Sequence, residues 1–431
     1  MSRRPLVLLQ CANVVGGVSN ALVMVVVPWL ILERTGSPAA AGLAGALTAL
    51  PGIVMAPAVG VLVDRVGRRA VSIASDLASA VSVLLFPVLD AVGMLGVPAI
   101  LTLTLVGAAF DPAGYTARKA LIPDVADTAG VSRDSVNGLH EGLFMAGWVV
   151  GPALGALGIA TVGSVDTMWF AFAAFGLAAL AVALLRVPDQ TSVTVSEGHE
   201  ATPLRSARAG LRVLIADRPV WLLTLTVALI SLIYMPTESV LLPVHFEGID
   251  QPAAFGAVIS AMAGGGMLGA FGYGWLARRL TRYRTAVVSM SVVAVAYVPL
   301  AFLPPPPAMV VAALLVGLAW GPMEPLLNSV VQERFPAHQH GRVYGVQLSL
   351  YYASAPLGQL LAGVSVEGFG VQPVMFGIAA GLVGVALLVA TMPVLRRLDD
   401  TMTDPGTDQG TDPGAEPVPP TPASYPSPPA R

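Results

Sequence analysis

This 431-residue chain has one cysteine and very little charge. Cys11 stands alone inside an apolar run, so neither a disulfide framework nor a thiolate metal site can form within one chain. Charged residues make up only 11% of the chain, against roughly 25% in an average soluble domain. A net charge of −3 and a pI near 6.0 leave no polyanion-binding surface, and the 23 basic residues are scattered through short hydrophilic gaps, which excludes nucleic acid as a partner. No P-loop, His-Glu-x-x-His or Gly-x-Ser-x-Gly occurs, so ATP-driven transport and metal or serine hydrolysis lack residues to perform them. Gly272-Tyr-Gly274-Trp-Leu-Ala277 fits the dinucleotide fingerprint, but it closes a long apolar run where the fingerprint needs a strand before it and a helix after it. No cofactor or metal is expected, and no enzymatic activity.

What the chain does have is apolar sequence: 55% hydrophobic residues and a mean hydropathy of +0.74. Spanning about 30 Å of hydrocarbon takes about 20 residues of helix, and on that scale the apolar runs give twelve expected spans. They cover 5–32, 38–63, 70–92, 96–118, 136–163, 165–187, 219–245, 252–277, 284–304, 307–334, 341–369 and 371–397. The first run is too long, and too rich in Asn13, Asn20 and Pro28, for a cleaved signal peptide, so it is expected to stay as a span.

Arg and Lys set the orientation. With the N-terminus in the cytoplasm, the inner segments collect all the basic side chains except Arg34, while the outer loops carry Glu33, Asp90, Asp166, Glu247, Asp250 and Glu367. Both termini are therefore expected in the cytoplasm, with the chain multi-pass in the cytoplasmic (inner) membrane. Residues 188–217 link two halves, 1–187 and 218–397. Apolar residues at helical spacing between the arginines of 204–215 predict an amphipathic helix at the inner interface. The Pro-rich tail, 398–431, has too few apolar residues to offset ordering entropy and is expected to be disordered.

The two halves are copies. Gly60-Val-Leu-Val-Asp64-Arg65-Val-Gly67-Arg68-Arg69 recurs in worn form from Gly274, an offset of 214, with Arg278 at the Asp64 position. Pro38-Ala-Ala-Ala-Gly42 recurs as Pro252-Ala-Ala-Phe-Gly256 at the same offset, and Leu105-Val-Gly-Ala-Ala-Phe-Asp111-Pro112 recurs as Leu315-Val-Gly-Leu-Ala-Trp-Gly321-Pro322. The fold class is thus an all-α membrane protein of twelve transmembrane helices in two pseudo-symmetric six-helix bundles. Parallel repeats of this kind suggest alternating access around a midplane site.

On these residues the chain resembles the major facilitator superfamily over residues 5–397. Gly60, Asp64, Arg65, Gly67, Arg68 and Arg69 match the signature between the family's second and third helices at every fixed position. The resemblance implies a cytoplasmic gate in which Gly60 and Asp64 meet the start of the eleventh span. Gly138, Gly147, Gly151, Pro152 and Gly155 in the fifth span are similar to the family's antiporter motif, with Ala156 replacing a final glycine. That likeness implies an exporter exchanging protons for drug-like solutes, although small residues would also serve close helix packing. Ala117 to Asp124, Val136 to Leu139, Arg208 to Arg212, Gln332 to Pro336, Gly341 to Val343 and Pro356 to Gly358 resemble the enterobactin-exporter and macrolide-efflux branch. One departure is Leu103, which stands where many proton-coupled drug exporters carry an arginine.

Ionisable groups inside spans are the candidates for coupling, since each costs roughly 2.5–3.5 kcal/mol at a helix centre unless it faces a cavity or a partner. These are Glu238, Glu324 and Asp111; Asp76 and Glu141 lie near the inner face and read as partners of loop arginines. Gln10, Asn13 and Asn20 recur at helical spacing on one face of the first span, and Glu324 shares a face with Trp320 and Asn328. Trp148, Tyr234, Tyr351 and Tyr352 add aromatic surface for a cavity. The expected activity is secondary export of a small organic compound (drug, siderophore or secondary metabolite) by a monomer, with protons as coupling ion and the lipid bilayer as its surroundings. An uptake carrier for a metabolite, or a receptor or scaffold that keeps the fold without flux, stays open as an alternative.

Overall fold

A computed structural model describes residues 3–48, 51, 66–187 and 203–400. The first half holds α1 (Arg4–Thr35), α2 (Pro38–Thr48), α3 (Arg68–Ala91), α4 (Val97–Ala120), α5 (Ile122–Ala129), α6 (Arg133–Val162) and α7 (Ser164–Ala183). Then come the linker helix α8 (Pro203–Ala216) and α9 (Arg218–Pro236), which continues through a π-helical turn (Thr237–Leu241) into α10 (Leu242–Gly248). The chain closes with α11 (Pro252–Leu276), α12 (Arg282–Ala301), α13 (Pro306–Trp320), α14 (Met323–Arg334), α15 (Ala337–Phe369), α16 (Val371–Thr391) and a 3₁₀ segment (Pro393–Asp399).

Ten spans among the described residues are long and apolar enough to cross a membrane. The other two of the expected twelve are α2, whose described part is short, and α15, which is long but carries Gln339, His340, Arg342, Gln347 and Tyr351. Side chains such as Phe170, Val295 and Leu361 are exposed, the apolar exterior a bilayer requires. Local chemistry places the ends. The Ser132 hydroxyl accepts from the Ser135 N–H to start α6, and Asp217 accepts from the Val220 N–H to start α9. Gly163 and Gly370, at φ +93° and +81°, turn α6 into α7 and α15 into α16 without an intervening loop, a backbone conformation suited to glycine.

The duplication is visible in the packing. In the first half α1 packs on α6 and α7, and α3 on α4 and α7; in the second, α9 packs on α15 and α16, and α12 on α13 and α16. The halves meet through repeat-related glycines. A Cβ on Gly42 would lie 2.5 Å from the Gln359 carbonyl oxygen, and one on Gly256 would lie 2.8 Å from the Pro152 carbonyl oxygen. Beside this second seam Trp29 stacks on Phe255, with Phe246 next to it, and all three are buried. These contacts draw the halves together at the end bearing the α1–α2 and α10–α11 connections, here called the distal end. The chain's N-terminus, α5 and α8 lie at the proximal end.

Several expectations are modified. The span expected over 307–334 is interrupted at Gly321-Pro322, because proline lacks the N–H that would continue the ladder; both residues stay right-handed, so the chain keeps its course. Helix α5 follows the fourth span, in the stretch between the expected spans 96–118 and 136–163. The linker helix forms as expected, but it is also tied to the second half: Gly210 lies against the Arg342 backbone of α15, and Leu214 is fully buried. Most of the 188–217 linker start, much of the second span and the tail beyond residue 400 lie outside the described residues.

Candidate functional site

The expected site residues fall into four groups. Gly60, Asp64 and Arg65 lie outside the described residues. Gly67 precedes α3 at φ +98°, a conformation that favours glycine. Arg68 pairs with Asp124 of α5 at 3.0 Å, and Arg69 donates to the Val182 carbonyl at 3.2 Å and to that of Ala183. Those carbonyls end α7, where the helix dipole favours a cation. The two arginines thus fasten the proximal end of α3 to α5 and α7.

Gly147, Gly151 and Gly155 face α1. A Cβ on Gly147 would meet the Val14 carbonyl oxygen at 3.0 Å, on Gly151 that of Val18 at 2.7 Å, and on Gly155 that of Leu22 at 3.2 Å. Pro152 is buried at the seam with Gly256, and Gly138 has open space. Most of the antiporter-like pattern therefore sets helix approach, with glycines one turn apart letting backbones come close.

In the first half the structure gathers Asp111, Asn20, Asn13 and Gln10 with Ser79, Asp76, Arg118, Glu141 and His140. Ser79 Oγ donates to Asp111 Oδ1 at 3.0 Å, and Asn20, its amide nitrogen turned to the carboxylate, reaches both oxygens at 3.1 and 3.2 Å. Two turns along α4, Arg118 Nη1 donates to both oxygens of Asp76 at 2.7 and 2.9 Å, with both side chains buried. Asp76 thus has a partner in a transmembrane helix and not in a loop. Glu141 accepts from Lys119 and, at 3.0 and 3.1 Å, from the Tyr115 hydroxyl. Asn13 Nδ2 donates to the His140 carbonyl at 2.7 Å, and Gln10, one turn before it, is buried. Tyr115 and Phe144 have ring centroids 4.8 Å apart, and Phe144 leads on to Trp148 at 6.3 Å.

In the second half Glu238 lies on the π-helical turn, beside the Tyr234 hydroxyl. Such turns are rare and concentrate at functional sites. Pro236 leads into the turn, which opens at Thr237, and the hydroxyls of Thr237 and Tyr297 hydrogen bond at 2.7 Å. The Tyr234 ring meets Tyr297 edge-on at 6.3 Å, and its hydroxyl touches the Met262 sulfur. Tyr351 reaches the Met235 sulfur from α15, and the turn also contacts α1 of the other half. Glu324 is exposed in the first turn of α14, separated by the Gly321-Pro322 break from half-buried Trp320, and the Asn328 carbonyl accepts from Tyr344 at 3.3 Å. The structure therefore brings Glu238, Tyr234 and Tyr351 together, and places Glu324 apart from them on a different helix.

Sequence reasoning missed Ser79, Arg118 and His140 as parts of the first-half group. Asp76 and Ser79 are one turn apart on a span facing Asp111 and Arg118, and that spacing was the available signal. Among the described residues, no group of three or more His, Cys, Asp or Glu side chains could hold a metal ion.

Two six-helix bundles with buried polar groups between helices define a multi-pass membrane transporter. Residues 9–359 match the Major Facilitator Superfamily, and the chain belongs to it. It is 37% identical over 411 residues to the multidrug efflux pump Tap of Mycolicibacterium fortuitum, covering 92% of this chain and 98% of that one. It is 38% identical over 412 residues to Tap of Mycobacterium tuberculosis (strain ATCC 25618 / H37Rv), with 92% and 96% covered, and 24% identical over 403 residues to macrolide efflux protein A of Streptococcus pyogenes, with 89% and 94% covered. Its fold is similar to that of the nucleoside transporter NupG (TM-score 0.74, 12% identity, 90% and 98% covered). It is also similar to that of a D-xylose-proton symporter (TM-score 0.69, 12% identity, 90% and 97% covered).

Proposed function

We propose that this transporter exports small organic compounds across the cytoplasmic membrane by alternating access, exchanging them for protons. The observation that carries the coupling is the Asp111 carboxylate, held by Ser79 and Asn20 inside the first bundle. A carboxylate in such a setting can exchange a proton for a substrate as its surroundings change from wet to dry. The efflux function of its relatives supports export as the direction, and a drug, siderophore or secondary metabolite as the class of cargo.

With both termini in the cytoplasm, the distal seam of Trp29, Phe255, Gly42 and Gly256 is the extracytoplasmic closure. Asp64, Arg65 and Gly60 then belong to the cytoplasmic gate, with Arg68 and Arg69 anchoring its far side. Glu238 on its π-helical turn, with Tyr234 and Tyr351, serves the substrate side of the second half; Glu324, with Trp320 and Asn328, lies apart from it and is more exposed. The reading is tested in everted membrane vesicles energised to be acidic inside. Ethidium or a macrolide should accumulate in vesicles holding the protein and leak out when the proton gradient is collapsed. Accumulation that persists without the gradient, or occurs only in right-side-out vesicles, would overturn it.

A further inference from the structure

The first half buries more polar atoms than its hydrogen bonds use. His140 on α6 is 0% exposed, yet among the described residues neither of its ring nitrogens has a hydrogen-bond partner. The same is true of both amide atoms of Gln10, of Asn13 Oδ1 and of Arg118 Nε. The residues that carry these atoms are neighbours. Asn13 bonds the His140 carbonyl, the Tyr115 and His140 rings are 6.3 Å apart, and the Arg118 guanidinium lies against Gly16, one turn along α1 from Asn13. From Arg118 the line continues up α4 to Asp111, and from Asn13 it continues down α1 to Gln10 and the proximal end.

A buried polar group left dry is destabilising, and six such atoms together would tax any helix bundle. Buried polar atoms at this density are served by internal water. Hydrated in this way, the line of groups would join the Asp111 carboxylate, held between α1, α3 and α4, to the proximal solvent.

We propose that Gln10, Asn13, Arg118 and His140 line a hydrated path between Asp111 and the proximal end, and that the His140 imidazole relays the proton along it. One ring nitrogen takes a proton from water as the other releases its own to the next water, so the ring is neutral before and after, and the proton lost by the Asp111 carboxyl ends in bulk solvent. The charged and titratable groups around the ring are compatible with this. From α4 come Tyr115, Arg118 and Lys119, with Asp76 of α3 neutralising Arg118 and Glu141 of α6 neutralising Lys119. On α5, Asp124 and Asp127 are tied to Arg68 and Arg133. Helix α7 carries one acid, Asp166, at its distal end; α11 has Tyr273 alone; α1 adds Arg4 near its start and an exposed Cys11.

The use of the path rests on the proton-antiport reading, and two measurements separate the two ideas. The first is hydrogen–deuterium exchange at the histidine C2 position in the full-length protein in nanodiscs, read by mass spectrometry. His140 should exchange within about tenfold of the partly exposed His245 and His340, whereas a rate about a hundredfold slower means a dry core and overturns the path. The second uses proteoliposomes holding the pH dye pyranine, with ethidium as the transported probe. His140→Phe should slow ethidium-linked proton movement about tenfold with ethidium binding retained, and His140→Gln should fall between it and wild type. Equal rates in all three overturn the relay. If the wild type moves no protons with ethidium, the antiport reading fails and the relay fails with it, while the exchange measurement still decides whether the path is wet.

Discussion

Trp29 of the first half stacks on Phe255 of the second, with ring centroids 6.1 Å apart and planes at 23°. The Trp29 indole also donates to Glu33 at 2.7 Å, and Glu33 accepts from Ser164 at the start of α7. The distal closure is therefore an aromatic stack anchored by one acid within the first half. Trp29→Ala should weaken this closure and raise the reactivity of a cysteine placed at Ala254, half-buried next to Phe255, in a Cys11→Ser background. Maleimide labelling in intact cells checks this, with the Ala254→Cys, Cys11→Ser parent as reference.

The glycines of α6 make separable predictions. Gly151→Ala would place a Cβ 2.7 Å from the Val18 carbonyl oxygen, so α1 and α6 must part, at a cost of about 1–3 kcal/mol. Gly138→Ala meets nothing within 4 Å and should leave the melting temperature unchanged. Thermal unfolding of the two purified variants in one detergent distinguishes them.

The Arg118–Asp76 pair is buried on both sides, with side chains 3% and 4% exposed. Removing one partner strands the other charge, so Arg118→Met and Asp76→Asn should each destabilise by about 3–5 kcal/mol, while the double variant should recover much of the loss. A double-mutant cycle on thermal or denaturant unfolding measures the coupling. Additive losses would mean that the pair is not a unit.

Much of this was legible in the sequence. The offset of 214 residues between Gly42 and Gly256 announced the duplication, and both glycines turn out to hold the halves together. The apolar runs gave the spans, and the amphipathic pattern after Leu204 gave α8. Partner choice was not legible. Asp76 pairs with Arg118 across two helices, a choice made by the rotation of α3 against α4, and the first-half group needs α1, α3, α4 and α6 in register. The π-helical turn at Glu238 and the break at Gly321-Pro322 were hidden as well, because apolar periodicity in a membrane helix carries little information about local backbone defects. The repeat itself holds a subtler message: Asp111 aligns with Gly321, whose backbone packs against Gly266 and Gly269 of α11, so the carboxylate at this position of the repeat belongs to the first half alone.

That asymmetry predicts unequal effects of removing the acids. Asp111→Asn should abolish coupling to the proton gradient while leaving ethidium binding intact. Glu238→Gln should chiefly weaken binding, and Glu324→Gln, on an exposed turn, should do least. Binding by fluorescence titration, read beside gradient-driven transport, ranks the three.

The most direct measurement is proton release when ethidium is added to the purified full-length protein in lightly buffered detergent solution, followed with a pH dye. Wild type should release protons as ethidium binds, and Asp111→Asn should bind ethidium without releasing them. Undiminished proton release from Asp111→Asn would contradict the assignment of coupling to the first-half site.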